Sequence, residues 1–218
     1  MASNNILKKA LIGLWSIFIL GIVSIILLFW MISKGWLGYL PPLEELQNPR
    51  NKYATEVISS DMQLLGRYYR QENRVGVNYE DISPNMINAL IATEDARYYS
   101  HTGIDFKSLI RAIAKLGKAG GGSTITQQLA KQLWSPRANN IFERALQKPI
   151  EWVIATKLER LYSKEEILTM YLNQFDFLYN AVGIKSAAQV YFSTTPDKLT
   201  IEEAAMMVGM CKNPSMYN

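Results

Sequence analysis

Residues 91–103, IATEDARYYSHTG, combine an acidic pair with the only histidine of the chain. Glu94 and Asp95 are adjacent, and His101 follows within the same short stretch. A zinc site is disfavoured, because the chain has one histidine, one distant cysteine and no HExxH pattern. A carboxylate beside aromatic rings can be partly desolvated, which suits a general acid or base, although most acids at helix ends are simply solvated. Taken alone, His101 is expected to be a structural hydrogen-bonding residue.

The stretch GGGSTITQQLAKQL places glycines and hydroxyls ahead of a helical pattern. A phosphate-binding Walker loop is excluded, since Gly117 and Lys118 are followed by alanine. The free amides at the start of such a helix can still bind phosphate oxygens. Gln127 and Lys131 share one helix face at a spacing of i, i+4. An anion site and an ordinary amphipathic helix behind a loop remain equally open interpretations.

A third group of charges falls at a spacing of i, i+4 and i+7, with Arg144, Lys148 and Glu151 on one predicted helical stripe. Two cations and an acid could bind a pyrophosphate together with a divalent ion, or form a solvated surface stripe. Pro149 lies inside this pattern, so the sequence predicts a kink or break of the helix near Lys148.

An uncharged apolar stretch at residues 10–32 precedes all of these groups. At the helical rise it is about 35 Å long, enough to cross a bilayer core, and no signal-peptide cleavage site follows it. Lys8 and Lys9 come before the stretch, so the positive-inside rule predicts a cytoplasmic amino terminus and an external remainder. Three aromatic residues are expected as anchors at the outer interface: Trp30, Trp36 and Tyr39.

Composition describes a folded protein, with 49% hydrophobic and 19% charged residues among 218. The net charge of +4 suits an anionic partner but does not indicate nucleic acid. Cys211 is the single cysteine, which excludes an intrachain disulfide, and its apolar neighbours predict a buried thiol.

Local patterns predict a mainly α-helical protein with one β-hairpin. The hairpin is expected around residues 60–63, after a proline-containing linker without regular structure. Helix-capping residues recur: Ser83, Asp105, and the capping-box pairs Thr124 with Gln127, Ser163 with Glu166 and Thr200 with Glu203. The predicted organisation is a tail (1–9), a transmembrane helix (10–32), a linker (33–52), a juxtamembrane hairpin element (53–80) and a helical domain (81–218).

Five stretches, in this order, resemble the motifs of peptidoglycan glycosyltransferases, the lysozyme-like enzymes found alone or at the front of class A penicillin-binding proteins. EDARYYSHTG resembles EDxxFxxHxG, and GGSTITQQLAKQL resembles GxSTITQQLxKN. QKPIE resembles RKxxE, YSKEEILTMYLN the fourth motif and AVGIKSAAQVYF the fifth. The resemblance runs from about residue 53 to the end and implies a two-lobed, lysozyme-like fold. Several positions depart from the pattern: Tyr98, Gln132 and Gln147, and three residues where glycine is expected, Leu178, Asn180 and Ser193.

The resemblance implies polymerisation of lipid II, with release of undecaprenyl pyrophosphate and formation of β-1,4 links. Glu94 is then the base, and Glu151 is a second catalytic acid that holds a cation or a divalent metal, Mg or Mn. The two glutamates should face each other across a cleft. Further implied substrate or pyrophosphate contacts are Asp95, Ser123, Thr124, Gln127, Gln128, Lys131, Arg144 and Lys148. Implied structural supports are His101, Gly103 and Asn173.

Two other functions remain open at this stage, a lytic transglycosylase that cleaves glycan and a membrane-anchored lipid II-binding module without catalysis. The implied location is the bacterial cytoplasmic membrane, with membrane lipids and cell-wall synthesis proteins as partners and no nucleic acid. No SxxK occurs, so these residues are not expected to hold a transpeptidase site. The chain stops at KNPSMYN, where the family usually continues, so a fragment is expected and a single-function enzyme is the alternative.

Overall fold

The computed structural model describes residues 2–49, 55–68, 75–114, 121–135 and 140–212. The predicted glycine-rich turn at 115–120 and the KNPSMYN segment beyond Lys212 lie outside this range, as do the ends of the predicted hairpin element. Contacts divide the chain into a first unit, residues 1–40 and 138–150, and a second unit, residues 41–137 and 151–218.

The first unit contains the amino-terminal helix α1, Ala2–Ser33. Its segment Leu7–Ser33 has a mean hydropathy of 2.8, and its apolar side chains are largely exposed. The segment is therefore long and apolar enough to cross a membrane, as predicted. The helix ends in a Schellman turn, where Gly35 has φ +73° and the Trp36 N–H donates to the Met31 carbonyl. Trp36 then packs edge to face on Trp30, with ring centroids 5.3 Å apart.

The second unit begins with a short helix, α2, at Leu43–Gln47, where the proline-rich sequence predicts irregular structure. That prediction is wrong for these residues. Pro42 occupies the N-cap position, which needs no backbone donor, so the proline starts the helix instead of breaking it. Leu46 is completely buried, and the Tyr162 hydroxyl donates to its carbonyl oxygen at 2.8 Å. Tertiary packing thus stabilises a helix that its length alone would not support.

The predicted β-hairpin is confirmed. Strand β1, Thr55–Ile58, pairs antiparallel with β2, Leu64–Tyr68, and the register shifts between Val57 and Ile58. Met62 in the connecting turn has φ +64°.

The remaining regular structure is helical, as predicted. Helix α3 packs against α9, and α5 packs against α7, so helices distant in sequence form the core. The helices are α3 (Pro84–Glu94), α4 (Phe106–Ala114), α5 (Ile125–Trp134), α6 (Ile141–Leu161), α7 (Lys164–Gln174), α8 (Ile184–Phe192) and α9 (Ile201–Lys212), with 3-10 turns at Tyr79–Asp81, Tyr98–Ser100 and Pro196–Lys198.

Most of the predicted helix caps are confirmed by hydrogen bonds. Ser83 Oγ accepts from the Asn85 N–H at 3.2 Å, which starts α3 directly before its first-turn proline. Asp105 accepts from two amides in the first turn of α4. The capping boxes before α7 and α9 form with both reciprocal bonds.

Helix α6 continues through Pro149, so the predicted break near Lys148 is wrong. Proline removes one helical hydrogen bond and crowds the preceding turn, at a cost of about 3 kcal/mol. Beyond the proline, α6 buries Ile154, Ala155 and Leu158 completely, and this packing outweighs the local cost. A kink at this point stays a prediction.

The backbone is left-handed at the positions where the resemblance implies glycine. Leu178, Asn180 and Ser193 have φ values of +66°, +63° and +52°. A side chain in this region costs about 1–2 kcal/mol per residue relative to the right-handed helix. The departures from the family pattern therefore store backbone strain in the loop between α7 and α8 and in the C-cap of α8.

Replacing Ser193 by glycine is expected to raise the free energy of unfolding by about 0.5–1 kcal/mol. Ser193 ends α8 in the left-handed conformation, and its N–H bonds the carbonyls of Ala188 and Gln189, an arrangement in which glycine carries no strain. Chemical denaturation in detergent measures the change. The neighbouring variant Thr194→Gly is the control, since Thr194 does not have a positive φ and should lose stability. A loss of stability in both variants would contradict the prediction.

Candidate active site

Asp95 ties three elements together at the end of α3. It is the C-cap of that helix and is only 7% exposed. Both carboxylate oxygens lie 3.0 Å from His101 Nε2, and Oδ2 accepts the Ile125 N–H at 3.1 Å. The carboxylate therefore satisfies a free amide at the start of α5, where the helix dipole favours negative charge. The acid next to Glu94 is thus held inside the protein by the two elements that flank it.

His101 is a buried hydrogen-bonding residue of the loop after α3. Its Nδ1 is buried without a hydrogen-bond partner among the described residues, while Nε2 faces Asp95. The Nε2–H tautomer satisfies this geometry, since it donates to the carboxylate and leaves only a lone pair unpaired. The His101 ring also packs edge to face on Tyr98 at 6.1 Å. Its partners make it a scaffold for the acidic pair.

Gly103 is the point where this loop meets both α5 and α6. Its carbonyl accepts from Thr124 Oγ1 at 2.8 Å and from Gln127 Nε2 at 3.0 Å. The predicted capping box before α5 is therefore only half formed. Thr124 accepts from the Gln127 N–H, but the Gln127 side chain bonds the loop and not the Thr124 N–H. The Gln127 side-chain amide instead satisfies the buried Gly103 carbonyl, which would otherwise keep one fewer partner.

Glu94 is the last residue of α3 and is partly exposed. Its Oε2 accepts from Gln128 Nε2 at 2.8 Å, and Gln128 Oε1 accepts from the Tyr171 hydroxyl at 3.0 Å. These two hydrogen bonds join α3, α5 and α7, so the Glu94 carboxylate is positioned by three helices. Sequence reasoning did not identify Tyr171, because its aromatic ring reads as a core residue of the fourth motif.

Glu94 lines a polar cavity of about 500 Å³ within the second unit. Four more of the predicted site residues line the same cavity, namely Asp95, Ser123, Thr124 and Gln128. Three basic residues that the sequence analysis did not name also line it: Arg97, Arg111 and Lys212. The cavity therefore combines carboxylates, hydroxyls and cations, a set that suits proton transfer beside an anionic group.

One of the basic residues is already paired. Arg97 forms a forked ion pair with Asp105, and its guanidinium also donates to Ser108 Oγ at 3.2 Å. Burial alone would raise the pKa of Asp105, but the hydrogen bonds from Arg97 and Ser108 hold that pKa well below its ordinary value. Arg111 donates to the same hydroxyl at 3.1 Å and is exposed, so its charge is accessible to a ligand.

Comparison with known proteins decides the family. A family model described as transglycosylase matches residues 61–218, most of the chain. The chain belongs to the transglycosylase family. Penicillin-binding protein 1A of Escherichia coli (strain K12) is 40% identical over 82% of this chain and 21% of its own length. Penicillin-binding protein 1A of Aquifex aeolicus is 37% identical over 97% of this chain and 28% of its own. Penicillin-binding protein 2a of Streptococcus pneumoniae (strain D39 / NCTC 7466) is 41% identical, covering 81% and 23% respectively.

The chain thus spans about a fifth to somewhat over a quarter of the length of these curated relatives. Residues 61–218 are a peptidoglycan glycosyltransferase domain at the level of the family. The mainly α fold, the hairpin and the apolar amino-terminal helix agree with the resemblance drawn from the motifs.

Three of the predicted site residues in the second unit do not line the cavity around Glu94, namely Gln127, Lys131 and Glu151. Gln127 is buried against Gly103, and Lys131 is exposed on α5. Glu151 is 2% exposed and has interaction partners, and the cavity is lined without it. The opposition of Glu94 and Glu151 across a cleft stays a prediction. Arg144 and Lys148 belong to the first unit and stay predicted pyrophosphate contacts.

Asn173 at the end of α7 bonds the segment before α3. Its Oδ1 accepts from the Val77 N–H at 3.2 Å, and its Nδ2 donates to the Val77 carbonyl at 3.0 Å. The Asn173 amide thus bonds both backbone polar groups of Val77, as a neighbouring strand would. Asn173 is 5% exposed, and its partners place it as a support of the fold.

The donor set does not form a dedicated metal centre in the described ranges of the transglycosylase. No group of three or more histidine, cysteine, aspartate or glutamate residues with metal-binding arrangement occurs there. Glu151 is a single carboxylate, and magnesium bound by one carboxylate takes its other ligands from water and substrate phosphates. The residues described do not fit a metal held by protein alone, and no reaction step is assigned to one.

Proposed function

We propose that this transglycosylase polymerises peptidoglycan glycan chains from lipid II, by an inverting transfer that releases undecaprenyl pyrophosphate. The observation that carries the proposal is the position of Glu94, held by Gln128 at a cavity that also contains cations. A sugar hydroxyl is a poor nucleophile and needs a base within hydrogen-bond reach. A diphosphate leaving group needs positive charge more than it needs an acid. The cavity offers both kinds of group.

The reaction is a single displacement at the anomeric carbon of the lipid-linked MurNAc. The 4-hydroxyl of the acceptor GlcNAc attacks that carbon while Glu94 takes the hydroxyl proton. The new carbon–oxygen bond forms as the bond to the pyrophosphate oxygen breaks, and undecaprenyl pyrophosphate leaves with the electron pair. Attack from the face opposite the leaving group inverts the carbon and produces the β-1,4 link. Glu94 ends the step protonated and returns the proton to solvent.

Two diphosphates need positive charge in this reaction, the one that leaves the donor and the one that the acceptor carries. In this proposal they are served by two separate groups of residues. Lys131, Arg144 and Lys148 serve the leaving pyrophosphate, with Glu151 holding either a cation or a Mg or Mn ion that the pyrophosphate brings. Arg111 and Lys212, which line the cavity beside Glu94, suit the diphosphate of the acceptor whose hydroxyl Glu94 deprotonates. The polar cavity wall thus matches the anionic half of a lipid-linked sugar.

The apolar helix Leu7–Ser33 supports a membrane location for the same reaction. Both substrates carry long lipid tails, so a spanning helix keeps the enzyme on the surface where they are found. We place the amino terminus in the cytoplasm and the catalytic domain outside the cytoplasmic membrane of a bacterium, from the positive-inside bias of Lys8 and Lys9. Membrane lipids and cell-wall synthesis proteins are the expected partners, and nucleic acid is not.

Incubation of the purified, detergent-solubilised chain with lipid II tests the function. The expected products are long glycan polymer, separated by gel, and undecaprenyl pyrophosphate, separated by chromatography. One undecaprenyl pyrophosphate should be released for each β-1,4 link formed. Parallel reactions with Mg, Mn or a chelator measure the dependence on a divalent ion. Shortened or anhydro-ended products from preformed glycan would identify a lytic transglycosylase instead. Binding of lipid II by the folded protein without any turnover would identify a binding module and contradict the proposal.

A further inference from the structure

The amide of Gln128 lies between the catalytic carboxylate and a buried tyrosine. Its nitrogen donates to Glu94 Oε2 at 2.8 Å, and its oxygen accepts from the Tyr171 hydroxyl at 3.0 Å. A glutamine amide has two nearly isosteric orientations related by a half-turn, and only one of them presents N–H groups to the carboxylate. The reversed orientation would set the amide oxygen against the negative Glu94 oxygen. A donor bonded to the amide oxygen therefore adds to the selection of the orientation in which Gln128 donates to Glu94.

Tyr171 is placed to make that selection. Its side chain is completely buried in α7, and burial raises the pKa of its hydroxyl far above the ordinary value. The hydroxyl consequently keeps its proton and can donate to Gln128 Oε1. The hydrogen bond that the structure gives this hydroxyl is the one to Gln128 Oε1, at 3.0 Å. The tyrosine proton therefore lies on the bond to the Gln128 amide oxygen.

We propose that Tyr171 is a positioning residue for Glu94, acting through Gln128. The tyrosine holds the amide with its N–H end toward Oε2, which fixes the carboxylate rotamer. Among the described residues no hydrogen bond reaches Glu94 Oε1, so that oxygen remains available to accept the proton of the acceptor hydroxyl. The inference rests on the proposed function, in which Glu94 is the base. Tyr171 does not touch the substrate in this arrangement.

The test is a double-mutant cycle on lipid II polymerisation. Tyr171→Phe removes only the hydroxyl, and we expect kcat to fall about tenfold with KM for lipid II unchanged, as for one lost orienting hydrogen bond. Gln128→Met keeps the side-chain length but removes both amide groups. In the Gln128→Met background, Tyr171→Phe should change kcat less than about twofold, because the group it orients is absent.

Tyr98→Phe is the matched control. Tyr98 is also completely buried, and its hydroxyl donates to the Lys164 carbonyl at 2.9 Å, away from Glu94. Because the resemblance implies phenylalanine at this position, Tyr98→Phe should keep kcat while it loses one hydrogen bond of stability. Thermal unfolding of every variant separates effects on catalysis from effects on folding.

Each outcome of the cycle is decisive. If the wild type is active and Tyr171→Phe lowers kcat by the same factor in both backgrounds, Tyr171 has a purely structural role and the inference is overturned. An unchanged kcat in Tyr171→Phe also overturns it. Full activity of Gln128→Met overturns it independently of how Tyr171→Phe folds. A folded wild type that makes no polymer overturns the proposed function and the inference with it.

Discussion

Replacement of Glu94 by glutamine is expected to lower kcat for lipid II polymerisation by at least about 100-fold, within the range that general-base catalysis contributes. The variant keeps the size of the side chain, and its amide oxygen can still accept from Gln128 Nε2. It cannot accept a proton from the acceptor hydroxyl at neutral pH. The loss should therefore appear in kcat, with a small change in the affinity for lipid II.

The measurement is the initial rate of polymer formation at several lipid II concentrations, together with the binding of lipid II to the folded variant. Glu202→Gln is the control, since Glu202 is exposed in the first turn of α9 and does not line the cavity. It should leave the rate unchanged. Near-normal activity of a folded Glu94→Gln enzyme would show that another group removes the proton. Glu151 is the next candidate, and Glu151→Gln would then have to abolish the rate.

Replacement of Gly103 by alanine is expected to destabilise the protein by about 3–5 kcal/mol. Gly103 has φ +87°, a conformation that costs an alanine about 1–2 kcal/mol. A Cβ atom there would also lie 2.9 Å from the carbonyl carbon and oxygen of Ala155 in α6. These are backbone atoms inside a helix, so the contact cannot be relieved by a side-chain rotation. The loop or the helix would have to move.

The movement would reach Glu94, the proposed base, through α5. The Gly103 carbonyl accepts from Thr124 and Gln127 at the start of α5, the helix that also carries Gln128. We expect Tm to fall by roughly 6–20 °C, or the variant to accumulate in insoluble form. Gly66→Ala in β2 is the control, because its Cβ would meet nothing within 4 Å and its φ is not positive. Equal stability of the two alanine variants would contradict the assigned role of Gly103.

The local features of this protein were predictable because their causes lie within a few residues of one another. An uncharged run such as residues 10–32 is long and apolar enough to cross a bilayer as a helix, so a long apolar helix follows from composition and length. Helix caps such as Ser163 with Glu166 form within one turn and follow from the chain order of donors and acceptors. The family motifs likewise pointed to Glu94 as the base without any knowledge of its surroundings.

Local rules failed where distant residues compensate a local cost. Proline signals predicted irregular structure at 43–47 and a break at Pro149, yet both segments are helical. The burial of Leu46 in one case and of Ile154 and Leu158 in the other stabilises what propensity opposes. The Thr124 capping box failed for the same reason, because a distant carbonyl, that of Gly103, took the Gln127 amide.

What the sequence by itself determined is the family, the apolar helix, the hairpin, most helix starts and the residue proposed as the base. Only the tertiary structure decided which groups meet that base. Gln128 and Tyr171 lie on α5 and α7, and Lys212 enters the cavity from the end of α9. Hydrophobic periodicity predicts which face of a helix is buried, but which element covers that face depends on how the helices pack. The polar chain from Tyr171 to Glu94 exists because that packing brings three helices together around one carboxylate.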